Sequence, residues 1–73
     1  MIREIDFDLS IYPFQIIQRA ISDYAKIATI RLSVSDEMAR CTFYSSKYDL
    51  ELTEKEFSNY VLSLSAVVGG EDV

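Results

Sequence analysis

The chain has 73 residues, of which 49% are hydrophobic and 26% charged, and its formal net charge is −5 at pH 7. This length has room for one hydrophobic core, so the sequence predicts a single domain over residues 1–73 with a frayed tail at about 70–73. The apolar fraction excludes a disordered chain, and the acidic balance argues against nucleic-acid binding. The sequence has no histidine, which excludes a histidine general base and a Ser-His-Asp triad.

The first two elements are predicted from hydrophobic periodicity. Residues 3–9 alternate between apolar and polar side chains, which indicates a half-buried strand. The polar side of this strand is acidic and comprises Glu4, Asp6 and Asp8. Pro13 lacks an N–H and suits the first turn of a helix, so an amphipathic helix is predicted over about 13–26. The apolar stripe of this helix comprises Phe14, Ile17, Ala20, Ile21, Tyr24 and Ala28.

The middle of the chain predicts two further strands. Alternation resumes over residues 28–34 and again around Cys41 and Phe43, with a polar turn at 35–37 between the two segments. Residues 45–47 either continue the third strand or lead into a short fourth strand at 48–52. The pattern fits both alternatives.

The last helix is predicted from signals at both of its ends. Thr53 and Glu56 have the spacing of a capping box, in which each side chain accepts a hydrogen bond from a backbone N–H of the first turn. Leu52 and Phe57 fit the hydrophobic staple that accompanies such a cap, and Gly69-Gly70 is expected to end the helix. The predicted buried stripe comprises Phe57, Tyr60, Val61, Leu64 and Val68.

The element order β-α-β-β-α predicts an α+β fold with both helices on one face of a three- or four-stranded sheet. A β-α-β crossover makes strands one and two parallel, and a hairpin makes strand three antiparallel, so the order 1-3-2 matches the front of a ferredoxin-like unit. The covered face is expected to carry Ile5, Phe7, Ile30, Leu32, Cys41 and Phe43. The strand that normally lies beside strand one is missing, so this edge is open for pairing with another chain.

The single cysteine, Cys41, excludes an intrachain disulfide and a CxxC metal or redox site. Because no histidine can activate it, Cys41 is interpreted as a small buried hydrophobic residue. The sequence also predicts no signal peptide, and no apolar run approaches the ~20 residues of a membrane span. These features favour a cytoplasmic location, and no metal or cofactor is expected.

Two carboxylates are the catalytic candidates. Asp6 and Asp8 have i, i+2 spacing, which places both on one strand face, as in some metal sites. No third ligand accompanies them in the sequence, so a solvated face beside Arg31 and Arg40 is the favoured interpretation. A small enzyme built on these aspartates is the weakest of three hypotheses, and the chain is predicted not to be an enzyme.

The last helix has an unusual charge distribution, since no charged residue occurs between Phe57 and Gly70. A helix that faces water usually carries Glu and Lys on its outer side. The outward side here is predicted to comprise Asn59, Leu62, Ser63 and Ala66. It is interpreted either as a packing face for a homo-oligomer or a partner protein, or as a neutral surface with one exposed leucine. The candidate protein-interaction residues are these four together with Glu4, Asp6 and Asp8.

Two motifs of the chain carry a family resemblance. The first is the run Asp6-Phe7-Asp8-Leu9-Ser10-Ile11-Tyr12-Pro13, followed by a helix with Ile17, Arg19-Ala20 and Tyr24; the second is Glu56-Phe57-Ser58-Asn59-Tyr60-Val61-Leu62. Both resemble the His-Xaa-Ser system protein HxsD family, and the resemblance covers roughly residues 6–64, with nothing distinctive over 34–49. It implies a bacterial peptide-modification locus, in which two radical SAM proteins and a small protein with His-Xaa-Ser repeats accompany HxsD.

The composition restricts the role that this resemblance implies. A radical SAM enzyme needs three cysteines for its cluster, and the modified peptide needs histidine, whereas this chain has one cysteine and no histidine. The remaining role is that of a non-enzymatic accessory or adaptor protein that binds the maturase or its substrate peptide. The second hypothesis is a structural homo-oligomer that pairs through its last helices and first strands and has no specific ligand.

Overall fold

The computed structural model describes the backbone of residues 1–70 and the side chains of residues 1–66. Its elements are β1 (Arg3–Asp8), α1 (Phe14–Asp23), β2 (Ala28–Ser35), β3 (Met38–Ser46) and α2 (Leu50–Gly70). This is the β-α-β-β-α order that hydrophobic periodicity predicts, and it confirms the α+β fold class.

Within residues 1–70 the sheet has three strands in the predicted order β1-β3-β2, and β3 pairs antiparallel with both neighbours. β1 and β2 therefore run in the same direction, as a β-α-β crossover requires. In this part of the chain each of them pairs with β3 alone, so both are edge strands. The polar turn between β2 and β3 contains Asp36, whose φ of 56° lies in the left-handed region that Asp tolerates.

The core lies between the sheet and both helices, which pack on the same face. It comprises Phe7, Ala39, Cys41 and Phe43 from the sheet and Ile16, Ile17, Ala20, Phe57 and Val61 from the helices. The ring of Phe57 contacts those of Phe7, Tyr24 and Phe43 edge to face, at centroid distances of 6.2, 5.3 and 5.2 Å. Burial of each large apolar side chain stabilises the fold by roughly 1.5–3 kcal/mol, so this cluster holds α2 against β1, β3 and α1 together.

Cys41 is fully buried, which confirms its interpretation as a core residue. Burial raises the pKa of its thiol to about 12, because the charged thiolate is poorly solvated there. Of the other predicted core residues, Ile5, Ile30 and Leu32 are partly buried and pack against the core cluster.

α1 is shorter than predicted, because it begins at Phe14 and ends at Asp23. Pro13 is its N-cap and not its first helical residue: its ψ of 138° is extended, and its carbonyl accepts the N–H of Ile16 at 3.0 Å. The buried stripe agrees with the predicted one except at its first turn. Ile17 and Ala20 are fully buried, and Ile21 and Tyr24 are partly buried against the core, as predicted. Phe14 is instead 37% exposed, and Ile16 is buried because α1 packs against both the sheet and α2.

The predicted capping box at Thr53 is wrong, because α2 begins one turn earlier. Asp49 caps the helix, and its Oδ2 accepts the backbone N–H of Leu52 at 3.0 Å. Residues 48–52 are therefore the end of a loop and the first turn of α2, and not a fourth strand. Leu52, predicted to form a staple with Phe57, is instead 51% exposed.

Thr53 is the one polar residue that is buried among the side chains the structure describes. Its hydrogen bonds join α2 to β3. Its hydroxyl donates to the carbonyl of Asp49 at 2.9 Å, so it accepts the hydrogen bond from the Ser46 hydroxyl at 2.7 Å. The Ser46 Oγ accepts in turn from the N–H of Tyr48 at 3.2 Å. These three bonds fix the loop between β3 and α2.

A β-bulge in β3 places Ser46 on the helix side of the sheet. Thr29 pairs with Ser45 and Ile30 with Phe43, so Tyr44 is an extra residue between the two pairs. The extra residue shifts the alternation by one position. Without it, Ser45 would face the helices and Ser46 would point away from Thr53.

The described part of α2 confirms most of the predicted buried stripe. Phe57 and Val61 are fully buried, and Tyr60 and Leu64 are partly buried against the core. α2 is helical through Gly70, the last residue whose backbone the structure describes. The predictions about the side chain of Val68 and about the tail fall outside the described residues.

Candidate interaction surfaces

The outward side of α2 lies where the sequence predicts it. Asn59, Ser63 and Ala66 are exposed, and Leu62 is 55% exposed. The predicted helix register is therefore correct at this position, although the helix begins earlier than predicted. No charged residue follows Glu56 until the end of the described helix.

A second exposed leucine lies on the same side of α2, and sequence reasoning missed it. At 100° and 1.5 Å per residue, Leu52 lies within about 80° of Leu62 around the helix and about 15 Å from it along the axis. Leu52 lies seven residues, or about two helical turns, before Asn59, so both are on the same side of α2. The sequence indicates this only if the helix is taken to begin after Asp49. The outer α2 face is defined as Leu52, Asn59, Leu62, Ser63 and Ala66.

The acidic residues of β1 point away from the helices, and each has a partner. The Arg40 guanidinium donates to both carboxylate oxygens of Asp6, at 2.9 and 3.2 Å, and lies 4.0 Å from Glu4. The hydrogen bond from Arg40 lowers the pKa of Asp6. Asp8 accepts from both the hydroxyl and the N–H of Ser10, at 2.6 and 2.9 Å, which lowers its pKa as well.

The structure thus brings Glu4 and Asp6 together around one arginine and places Asp8 in a local turn. A shallow cavity of about 310 Å³ on this face of the sheet includes Asp6 but not Asp8, so the two aspartates do not share it. Its lining comprises Asp6, Ser33, Ser35, Asp36, Met38 and Arg40. Among the described residues, no group of three or more Asp, Glu or Cys side chains is arranged to hold a metal ion.

β2 is a second edge strand that sequence reasoning did not consider as a contact surface, although the predicted order 1-3-2 implies it. Its eight residues include a single charge, Arg31, which lies over the ring of Tyr44 at 5.8 Å. Three aliphatic residues of β2 face the helix side, namely Ile30, Leu32 and Val34. The first two are partly buried and Val34 is 49% exposed, whereas their ladder partners in β3 are fully buried.

Comparison of the sequence with protein-family models finds no match, and comparisons with curated proteins and with solved structures find none either. Within residues 1–70, no helix combines the length and the apolar character that crossing a bilayer requires. The candidate interaction surfaces of the described residues are the outer α2 face and the two sheet edges.

Proposed function

We propose that this chain is a non-enzymatic accessory protein of a bacterial radical SAM peptide-modification system of the His-Xaa-Ser type. In this proposal it works in the cytoplasm and binds the maturase or its substrate peptide through the outer α2 face. The observation that carries the protein contact is the pair of half-exposed leucines, Leu52 and Leu62, on one side of α2. Lys55 lies between them on that side, and no charged residue follows Glu56 in the described helix. The setting is supported by the resemblance of residues 6–13 and 56–62 to the HxsD family.

The composition of the outer α2 face favours contact with another protein. Beyond Glu56 its polar members are uncharged, so covering them costs less desolvation free energy than covering Glu or Lys. Lys55, between the two leucines, has a long side chain that can keep its ammonium group in water at the edge of a contact. Ser63 and Ala66 are small, so their side chains do not hold a partner surface away from the helix backbone. Leu52 and Leu62 are separated by about three helical turns, a spacing at which two side chains of one helix can fill two pockets of a groove.

The test is co-purification of this chain with the radical SAM maturase and the His-Xaa-Ser peptide from the same locus, all expressed together. Leu62→Glu places a charge in the proposed contact, where removing it from water is costly, so capture of the partner should be lost. Ile11→Glu is the matched control, because Ile11 is 67% exposed and lies in the loop between β1 and α1, outside α2. This control should retain capture, and circular dichroism should show that both variants fold.

Two results would overturn the proposal. Failure of the wild-type chain to bind either partner removes the adaptor function, and loss of binding in both variants shows that the effect is not specific to α2. The structural homo-oligomer is identified by a different result: the wild type associates with itself, and Leu62→Glu separates the copies. The neighbouring genes test the setting independently, since the proposal expects two radical SAM genes beside this one.

A further inference from the structure

We infer that the edge of β2 is a dimerisation surface, at which a second copy of the chain pairs antiparallel with β2 and joins two three-stranded sheets into one of six strands. This inference does not depend on the proposed function. It rests on an edge strand with one charged residue, Arg31, and a row of aliphatic side chains that the helices leave incompletely covered.

The two edges of the sheet differ in how they are protected. Soluble proteins block edge-to-edge association with charged side chains on edge strands. Four of the six residues of β1 are charged, so this edge is protected. β2 is longer, with eight residues, and has neither proline nor a carboxylate. Charge therefore blocks pairing at β1 and leaves it open at β2.

The sequence of β2 is complementary to itself in an antiparallel pair. A twofold axis at Leu32 sets this residue opposite the partner's Leu32 and sets Ile30 opposite the partner's Val34, so the aliphatic row continues across the junction on the helix side. On the other face, Arg31 lies opposite the partner's Ser33, so no like charges are directly opposed. The stacking of Arg31 on Tyr44 directs its guanidinium toward its own β3.

Antiparallel pairing of β1 with the β1 of a second copy is unfavourable. Glu4, Asp6 and Asp8 share one face of the strand, and residues directly opposite in an antiparallel pair point to the same face. Any self-pairing of β1 that keeps both helix layers on one side therefore opposes carboxylates, which is destabilising. Pairing of β1 with the partner's β2 does not close and would produce larger assemblies. Arg40 already satisfies Asp6, so that arrangement gains little from charge.

Sedimentation equilibrium of the full chain tests the dimer. The wild type should sediment as two chains. Val34→Lys should weaken the dimer by about tenfold or more, because an edge lysine opposite the partner's Ile30 must lose water to pair. Ile2→Lys is the matched control, since Ile2 is 57% exposed and lies beside β1. It should leave the dimer intact. A monomeric wild type, a dimer that only Ile2→Lys separates, or a mass above two chains would overturn the inference.

Amide hydrogen exchange on the wild type gives a readout that does not depend on a variant. Dilution below the dissociation constant should speed exchange in β2 and leave exchange in β1 unchanged, because only the N–H groups at the β2 edge lose a partner. Equal acceleration in both strands, or none in β2 while the mass falls to one chain, would show that copies associate elsewhere.

Discussion

The hydroxyl of Thr53 connects the first turn of α2 to the end of β3, and its removal is expected to destabilise the protein. Thr53→Val replaces the hydroxyl by a methyl group of similar size, so it creates little cavity. The change removes the bond to the Asp49 carbonyl, at 2.9 Å, and the bond from the Ser46 hydroxyl, at 2.7 Å. Because the site is 2% exposed, water does not readily replace either bond.

The expected loss follows from the net value of each bond. One intramolecular hydrogen bond contributes ~0.5–1.5 kcal/mol net, so the two bonds set an upper range of about 1–3 kcal/mol. The Asp49 carbonyl keeps its helical bond from the Thr53 N–H at 2.9 Å, and Thr and Val have similar helix propensities. We therefore expect a loss of about 1–2 kcal/mol, which lowers the Tm of a domain of this size by roughly 4–16 °C.

Urea denaturation followed by circular dichroism gives the free energy of unfolding of the wild type, Thr53→Val, Ser46→Ala and the double variant. The two changes remove the same bond, so the double-mutant cycle should give a coupling of about 0.5–1.5 kcal/mol. Ser58→Ala is the matched control. Ser58 makes the same i−4 hydrogen bond within α2, to the Glu54 carbonyl at 3.0 Å, without a link to the sheet.

This experiment also separates the observed start of α2 from the capping box that the sequence predicts. A Thr53 cap would make Thr53→Ala cost ~1 kcal/mol, which overlaps the loss expected here, so a single variant cannot decide. Coupling to Ser46 tests the contact that accompanies the observed start of α2, because a capping box does not require a bond to β3. Zero coupling would refute the network between Thr53 and Ser46.

Two further predictions concern titratable groups. The Cys41 thiol is fully buried with a raised pKa, so iodoacetamide should label the native protein only at the rate at which it opens, and labelling at the rate of a free thiol would refute its burial. The bond from the Tyr60 hydroxyl to Asp23, at 2.5 Å, raises the pKa of Tyr60. A group whose pKa is raised by folding contributes its stability below its ordinary pKa, here 10.0, and loses that contribution as the pH rises through the folded value. The destabilisation by Tyr60→Phe in urea titrations should therefore shrink above about pH 10, and a constant difference would refute the bond.

The strands were predictable because one face of each is covered. Phe7, Cys41 and Phe43 are buried as the alternation indicates, and Arg40, which precedes Cys41, is exposed. The bulge at Tyr44 was not predictable, since nothing local distinguishes it from regular alternation. It depends on a contact between Ser46 and a helix that follows it in the chain.

The start of α2 could not be decided from the sequence because two caps compete one turn apart. Asp49 and Thr53 are both good capping residues, and Thr53 has the added Glu of a capping box. A tertiary contact decides between the two caps: when Asp49 is the cap, Thr53 is buried and forms a hydrogen bond with Ser46. Because α2 begins after Asp49, Leu52 lies in its first turn and is exposed. The wrong prediction of the helix start therefore left Leu52 out of the candidate site.

The outer α2 face and the β2 edge can be occupied at the same time. α2 packs over β3 and β1, whereas β2 is at the opposite edge of the sheet from β1. Pairing two β2 strands with both helix layers on one side would place two outer α2 faces on the same side of a six-stranded sheet. When a partner carries the same motif more than once, binding of one motif raises the effective concentration of the next at the second site. Two sites on one dimer therefore bind such a partner more tightly without any new contact. The His-Xaa-Ser repeats of the proposed partner peptide are of that kind, so within that proposal the dimer would increase the affinity of each copy's contact.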